Sequence, residues 1–243
     1  MYNSNDYDRG YNHSAYETGN AASATSTVLK NVYLWMTAAL GITALVAYGV
    51  ATTPAALAFI FSSQLIFWGL MIAELALVWI LSARIMSMQF STAMIMYGAY
   101  SVLNGINMSA IFMVYTSSSI ATTFGVCAAT FAAMAFVGHT TKTDMTSWGK
   151  YLLMALIGLI IATVVNMFVE SDSLSRLIPY VGVFLFVGLT AYDAQKIKLM
   201  VEGNLTMGSD ALQRIALLGA LSLYLDFINL FIYLLRIMGS RRD

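Results

Sequence analysis

Charge is scarce in this sequence. Asp, Glu, Lys and Arg together make up 10% of its 243 residues, whereas a typical soluble domain carries about 25%. The two signs balance at a formal net charge of +0, so no general attraction to nucleic acid is expected. Hydrophobic residues make up 59% of the chain, and its mean hydropathy is +0.75. This composition excludes an ordinary soluble domain and predicts an integral membrane protein whose first partner is the lipid bilayer.

Cysteine, histidine and proline are also rare. The single cysteine, Cys127, excludes a disulfide within the chain. Together with His13 and His139 it makes no metal-ligand spacing, so neither a structural zinc site nor any bound cofactor is expected. The only two prolines, Pro54 and Pro179, fall at the edges of apolar runs, where proline suits the start of a helix.

The first 29 residues have almost no aliphatic side chains and are rich in Asn, Ser, Tyr, Gly and Thr. Such a segment cannot bury a core, so residues 1–29 are predicted to be a disordered polar tail. No basic region precedes a short apolar core there, so a cleaved signal peptide is not expected. Residues 30–243 are predicted to form a single transmembrane domain.

Seven apolar runs follow this tail, joined by short connections. Each is long enough to cross a bilayer as a helix and too long for a strand of a membrane barrel. The predicted fold is therefore all-α, with seven transmembrane helices. The runs lie near residues 31–51, 57–81, 91–114, 119–138, 149–169, 177–197 and 212–236.

The basic residues near the ends of these runs favour a cytoplasmic N-terminus. The loops 52–56 and 115–118 have no Lys or Arg, and the next loop on that side has only Arg176. Seven full spans would place Arg241 and Arg242 outside, against the rule; the alternative is a re-entrant last segment, and seven full spans are favoured. The basic residues assigned to the cytoplasmic side are Lys30, Arg84, Lys142, Lys150, Lys196 and Lys198.

The last run carries a polar stripe across an otherwise apolar helix. An aspartate near mid-membrane costs about 2.5–3.5 kcal/mol on insertion scales, so Asp226 is expected to face the interior of the bundle and to have a function. The alternative is a hydrogen-bonded packing residue. Steps of three and four place the stripe on one helical face; its members are Gly219, Ser222, Asp226, Asn229, Tyr233 and Arg236.

Three more ionisable residues lie in or at the ends of the runs. Glu74 lies inside the second, and its alternative role is that of a neutral, hydrogen-bonded carboxyl. Arg84 ends the second run, where arginine also serves as a snorkelling anchor. Asp193 lies towards the cytoplasmic end of the sixth, where it could instead be an interfacial residue beside Lys196. In the third run Tyr97, Ser101 and Asn104 follow one another at steps of four and three, a spacing typical of side chains that hydrogen-bond between helices.

Two aspartates on neighbouring helices have a definite chemistry. Close together in a low dielectric they cannot both ionise easily, so they titrate as a unit. Such a pair can hold a cation when deprotonated and release it when protonated. Straight, untilted helices would leave Asp193 about 12 Å from the depth of Asp226, counting 1.5 Å per residue. Contact therefore requires tilt or a lower seventh helix.

The residues Ser222-Leu223-Tyr224-Leu225-Asp226-Phe227-Ile228-Asn229-Leu230-Phe231, with Tyr192-Asp193-Ala194-Gln195-Lys196-Ile197 before them, resemble the Bax inhibitor-1 (transmembrane Bax inhibitor motif) family. The short loops and polar N-terminal segment resemble its bacterial branch. The resemblance covers about residues 30–240. It implies six helices around a central seventh in the bacterial inner membrane, and a pH-sensitive calcium leak governed by a di-aspartyl unit.

The resemblance also assigns residues. The di-aspartyl unit falls on Asp193 and Asp226, which would also be the place for a transiently bound calcium. The acid of the family's second helix resembles Glu74, and the arginine that closes onto the aspartates is matched by Arg84. Glu74 and Arg84 are ten residues apart, so they do not share quite the same helix face.

These observations favour a proton-gated cation pathway. Calcium takes oxygen ligands, and Asp193, Asp226, Asn229 and Glu74 supply oxygen; Ser222 and Asn104 are supporting polar residues. The alternative is a regulatory membrane protein that binds other membrane proteins, as bacterial relatives are associated with a membrane-bound protease. An enzyme is not expected, because the Gly-x-Gly-Asp motif of intramembrane aspartyl proteases is absent before Asp226 and no Ser/His pair is placed for hydrolysis.

Overall fold

The part of the chain that the structure describes folds into nine α-helices joined by short connections. A computed structural model describes residues 5–242, with side chains from residue 22 onwards. A 3₁₀ turn, Thr146–Trp148, precedes the seventh helix. The helices are α1 (Asn5–Ala51), α2 (Pro54–Ser62), α3 (Gln64–Arg84), α4 (Phe90–Met108), α5 (Ile111–Val114), α6 (Ser117–Thr140), α7 (Gly149–Val169), α8 (Asp172–Glu202) and α9 (Ser209–Met238).

Six helices in the described part of the chain are long and apolar enough to cross a membrane: α1 from Ala22, α3, α6, α7 with its preceding turn, α8 and α9. Their burial differs sharply. In the most apolar stretch of α9, 72% of the residues are buried, against 6% in α3 and in α7. The helix α9 packs against α1, α4, α6 and α8. Apolar side chains on α3 and α7 thus face outwards, as lipid-exposed side chains do, while those of α9 form much of the core.

Each predicted run contains helix, but the second and third runs are interrupted. The second divides into α2 and α3 at Ser63, and Pro54 begins α2 as predicted. The third divides into α4 and the single turn α5. The 19-residue α4 is not among the six long apolar helices, because polar side chains interrupt its apolar sequence. Three of them, Tyr97, Ser101 and Asn104, share one buried face, as their spacing predicts.

Two predicted boundaries are corrected by the structure. The first helix already includes residues 22–29, where Thr25 and Val28 are buried, so this part of the predicted tail belongs to the bundle. Residues 5–21 also belong to this helix, so they are helical rather than disordered, and residues 1–4 lie outside the described residues. Pro179 is not at a helix start, because α8 begins two turns earlier, at Asp172. Asp172 follows Ser171, whose hydroxyl accepts a hydrogen bond from the Leu174 amide as the N-cap.

The end of the chain is held beside the start of α6. The amide of Thr116 donates to the carbonyl of Ser240 (3.1 Å), and the amide of Arg242 donates to that of Val114 (2.9 Å). The amide of Ser240 donates in turn to the Ser119 hydroxyl (2.9 Å). The last helix and α6 are thereby joined at the end of the bundle opposite Lys198, which lies near the end of α8.

Candidate functional site

The polar stripe of α9 faces α8. A Cβ atom built on Gly219 would lie 3.0 Å from the side chain of Ile197. Five residues before the end of α9, the ring of Tyr233 stacks on Phe186 (centroids 5.8 Å apart) and covers Gly182, where a Cβ would come within 2.6 Å of the ring. Glycine at both places lets the two antiparallel helices approach closely.

These two contacts set the register that brings the aspartates together. Asp193 lies four residues from Ile197 along α8, and Asp226 lies seven from Gly219 along α9. The offset of three residues corresponds to about 5 Å along the helix axis, less than one turn. The two carboxyls are close enough to interact electrostatically. Contact was expected only with tilt or with a lower seventh helix. The contacts at Gly182 and Gly219 set α9 lower against α8 than the run lengths suggest.

Asp226 is a buried carboxyl whose hydrogen bonding is incomplete. Its side chain is 5% exposed, and its Oδ2 atom is buried without a hydrogen-bond partner among the described residues. No hydrogen bond joins it to Asp193, which is half-buried across the interface. A buried polar group left unpaired costs about 1–3 kcal/mol. A packing role does not account for this cost, so Asp226 stands as the centre of the site.

The positive charge next to the pair belongs to Lys196. Its charge acts on both aspartates, and its amine lies 5.6 Å from the centre of the Tyr192 ring. Arg84 is exposed and makes no hydrogen bond or salt bridge to Asp193 or Asp226 in this structure. It ends α3, which packs on α2 and α4, and α4 lies between α3 and α9. The expected arginine latch is therefore not formed here.

Glu74 lies in a separate site, between α3 and α4. The side-chain amides of Asn104 and Asn107 each donate a hydrogen bond to one oxygen of its carboxylate. Both carboxylate oxygens therefore have partners, although one amide oxygen, Asn104 Oδ1, is buried without one. Glu74 is thus hydrogen-bonded within the bundle and does not join the aspartate pair, while its predicted neutral state stays a prediction.

A hydroxyl cluster that the sequence did not predict lies next to Glu74. Thr43 donates to the carbonyl of Ser101 (3.0 Å) and accepts from the hydroxyl of Tyr224 (2.6 Å), so it ties α1 to α4 and α9. The ring of Tyr224 meets Tyr100 edge to face, with centroids 5.7 Å apart. Tyr224 is fully buried. Its only indication in the sequence was its position two residues before Asp226, which puts Tyr224 on the side of α9 opposite the polar stripe.

The supporting polar residues bind within the bundle. The Asn229 side chain donates to the carbonyl of Leu225 (2.8 Å) in its own helix, and Ser222 is half-buried on α9. Among the described residues, no group of three or more His, Cys, Asp or Glu side chains could hold a metal ion. Two carboxyls fall short of the six to eight oxygens that calcium takes, so this pair fits a passing cation better than a resident one.

A loop beside the pair is anchored by α8. The side chain of Gln195 donates to the carbonyl of Thr143 (2.9 Å) and accepts from the amide of Met145 (2.8 Å). In the same loop, hydrogen bonds from the hydroxyl and amide of Thr146 hold the pKa of Asp144 below its usual value. The loop thus presents an ionised carboxylate at neutral pH, next to the ends of α6 and α8.

Comparison with known proteins gives one consistent family. The sequence profile of "Inhibitor of apoptosis-promoting Bax1" matches residues 25–243. The chain is 47% identical over 216 residues to the inner membrane protein YbhL of Escherichia coli (strain K12), covering 89% of this chain and 92% of the relative. It is 43% identical over 215 residues to an uncharacterized protein of Borreliella burgdorferi, covering 88% and 92%. A Deinococcus radiodurans protein is 40% identical over 215 residues, covering 88% and 91%.

Proposed function

This chain belongs to the Bax inhibitor-1 family, and we propose that it is a pH-sensitive cation leak of the bacterial inner membrane, with calcium the preferred ion and Asp193 and Asp226 the gate. The family resemblance suggests this activity. The observation that carries it is the buried Asp226, which has an unpaired oxygen and a second carboxyl within one helical turn. The E. coli relative YbhL is named as an inner membrane protein, which supports this location.

The proposed gate works through shared protons. At neutral pH Asp193 and Asp226 hold a negative charge between them, balanced in part by Lys196, and the helices α8 and α9 stay packed. When acid protonates both carboxyls, the attraction to Lys196 is lost and the interface loosens. The pathway then opens along the polar stripe of α9. Arg84 enters this scheme only in a conformation where α3 moves towards the pair, because it is exposed in the present one.

The proposed membrane arrangement has seven spans. They are the six long apolar helices together with α4, and α9 lies at the centre. Burial on several sides supports the central position, since α9 packs against α1, α4, α6 and α8. The polar face of α4 is turned inwards, where Asn104 donates a hydrogen bond to Glu74, which lets a moderately apolar helix cross. We propose a cytoplasmic N-terminus because Arg84 and Lys198 lie near the C-terminal ends of α3 and α8, and because Lys30 precedes the first apolar run, within α1. Seven spans leave Arg241 and Arg242 outside.

We assign no enzymatic activity to the site. Two carboxyls also catalyse intramembrane proteolysis, but that chemistry needs a water-accessible dyad. Here Tyr224 and Leu225, which precede Asp226, are apolar or buried. No bound cofactor is needed, and calcium is treated as the transported ion.

The test is calcium flux into liposomes that contain the purified chain, with external pH varied from 5 to 8. The wild type should conduct more as pH falls. Asp226→Asn, and separately Asp193→Asn, should abolish this pH dependence, because an amide cannot change charge. Asp144→Asn is the matched control, an exposed aspartate in the neighbouring loop, and should behave as the wild type.

Two outcomes would overturn the proposal. If both Asp193→Asn and Asp226→Asn kept the wild-type pH dependence, the pair would not be the gate. If no flux exceeded that of empty liposomes at any pH, the second candidate would take its place, a regulatory protein that binds a membrane-bound protease or another membrane protein. Deletion of residues 1–21 would then test the N-terminal segment as the binding element.

A further inference from the structure

An apolar groove runs between α1 and α6, away from the aspartate pair. Both helices pack against α9, and Phe227 of α9 lines the space between them. The larger part of the groove has a volume of about 490 Å³, and a smaller part of about 90 Å³ continues it; Leu40, Phe124 and Phe227 line both parts. From Tyr33 to Ala47 along α1 the groove extends about 21 Å, more than the ~15 Å of one hydrocarbon leaflet.

One end of this groove opens into a polar cleft of about 560 Å³. Tyr33 and His139 line both spaces, so the two are continuous. The hydroxyl of Tyr33 and Nε2 of His139 share a hydrogen bond of 2.6 Å. The cleft is also lined by Lys30, Lys198 and Glu202. With neutral His139 these three give the cleft one net positive charge.

The lysines of the cleft retain donors that the protein does not use. Lys198 donates to the carbonyl of His139 (3.1 Å) near the end of α6, which is a normal cap for a helix C-terminus. That bond uses one of its three N–H groups. Capping does not explain Lys30, which comes from α1, is exposed and forms no salt bridge in the described part of the chain.

We infer that this composite space binds a membrane phospholipid, with one acyl chain in the groove and the phosphate at Lys30 and Lys198. A phosphodiester carries one negative charge, which matches the net charge of the cleft. Basic pockets between transmembrane helices hold lipid headgroups in this way. The groove is apolar, longer than one leaflet, and opens at the end where a headgroup would lie. The lipid also packs on Phe227, next to Asp226 in sequence.

The headgroup is tested with the purified full-length chain stripped of lipid by detergent and titrated with phosphatidylglycerol. Native mass spectrometry counts the lipids retained. Lys30→Gln should weaken the tightest binding roughly fivefold, the contribution of one lysine to an anionic lipid surface. Lys150→Gln is the control, since Lys150 is exposed on α7 and its amine lies over Tyr151. The headgroup assignment would be overturned if both variants lost phosphatidylglycerol binding equally, or if neither variant lost any.

The acyl chain is tested by filling the groove. Ala132 lines it, while the neighbouring Ala133 is equally exposed on α6 but lies outside it. Ala132→Phe should weaken binding at least tenfold and Ala133→Phe should not. If Ala132→Phe lowers the melting temperature, Thr37→Phe on the facing wall replaces it.

Other ligands separate the remaining possibilities. Inorganic phosphate that displaces the lipid completely would make this a site for a free anion, and equal binding of diacylglycerol would leave the lysines without a role; either result overturns the proposal. A dimer peak lost only in Ala132→Phe would assign the groove to a second copy of the chain instead. None of these readouts depends on ion flux, so failure here is distinct from failure of the proposed leak.

Discussion

Two carboxyl sites between helices of this bundle, one half-buried and one buried, are built in opposite ways. Glu74, between α3 and α4, receives a hydrogen bond from an asparagine side chain on each oxygen. Asp226, between α8 and α9, is buried with one oxygen unpaired and a second carboxyl nearby. Asparagine neighbours satisfy a charge in place, whereas a like-charged neighbour makes each carboxyl depend on the protonation of the other.

This difference separates a structural acid from a switchable one. When a carboxylate that accepts from two amides is removed, both hydrogen bonds are lost. Such a carboxylate therefore stabilises the fold. A carboxyl with incomplete hydrogen bonding destabilises the closed state, and a proton or a cation that reaches it lowers its free energy. We therefore expect apolar substitutions at Glu74 and at Asp226 to change the stability of the fold in opposite directions.

Removal of Glu74 should have the largest effect on stability. In Glu74→Leu the amides of Asn104 and Asn107 lose their acceptor, and unpaired buried donors cost about 1–3 kcal/mol. The melting temperature of the detergent-purified protein should fall by several degrees. Glu202→Leu is the control, because Glu202 is exposed at the end of α8. An unchanged melting temperature in Glu74→Leu would erase the contrast between the two sites.

Asp226→Leu should have a smaller effect of the opposite sign. Replacing a buried, incompletely bonded carboxyl by an apolar side chain of similar size is neutral or stabilises by about 1 kcal/mol. The same melting measurement should show no decrease. A fall in melting temperature as large as that of Glu74→Leu would mean that Asp226 is itself a structural hydrogen-bonding residue and would contradict its role as a switchable acid.

Lys196→Gln should shift the acid response of the calcium flux without removing it. The lysine favours the ionised state of Asp193 and Asp226, so its loss makes protonation of the pair easier and the flux should rise at a higher pH. The midpoint is read from the flux between pH 5 and 8, with Lys150→Gln as the control. Movement of the midpoint to a lower pH would contradict the electrostatic account.

Asp144→Ala should have the smallest effect, because this aspartate titrates outside the range of interest. Hydrogen bonds from Thr146 lower its pKa below the usual value of about 4. Its contribution to the loop is therefore present at neutral pH and is lost only as pH falls through that lowered value. Between pH 5 and 8 the flux profile should match the wild type. A shifted profile would bring the loop into the gate and blur the comparison.

Several features could be predicted from local sequence alone. Apolar runs of membrane length predict helices because lipid cannot hydrogen-bond to the backbone. Each N–H and C=O group must then be paired within its own segment, whatever the rest of the fold. In α4 the spacing of Tyr97, Ser101 and Asn104 predicted the buried face. In α9 the polar stripe predicted the inward face only in part, because Gly219 and Asp226 are buried, whereas Ser222, Asn229 and Tyr233 are half-buried and Arg236 is exposed. The motif around Asp226 indicated the family, which the profile match to residues 25–243 confirms.

Other features depended on how the helices pack. The register of α8 and α9 follows from close contacts at Gly182 and Gly219, and counting residues along separate runs cannot supply it. The asparagine partners of Glu74 come from another helix, and α4 keeps Arg84 away from the aspartates. The sequence thus determined which residues are too polar for lipid and must turn inwards. Only the tertiary structure decided which of them meet, because that depends on the translation and rotation of whole helices against one another.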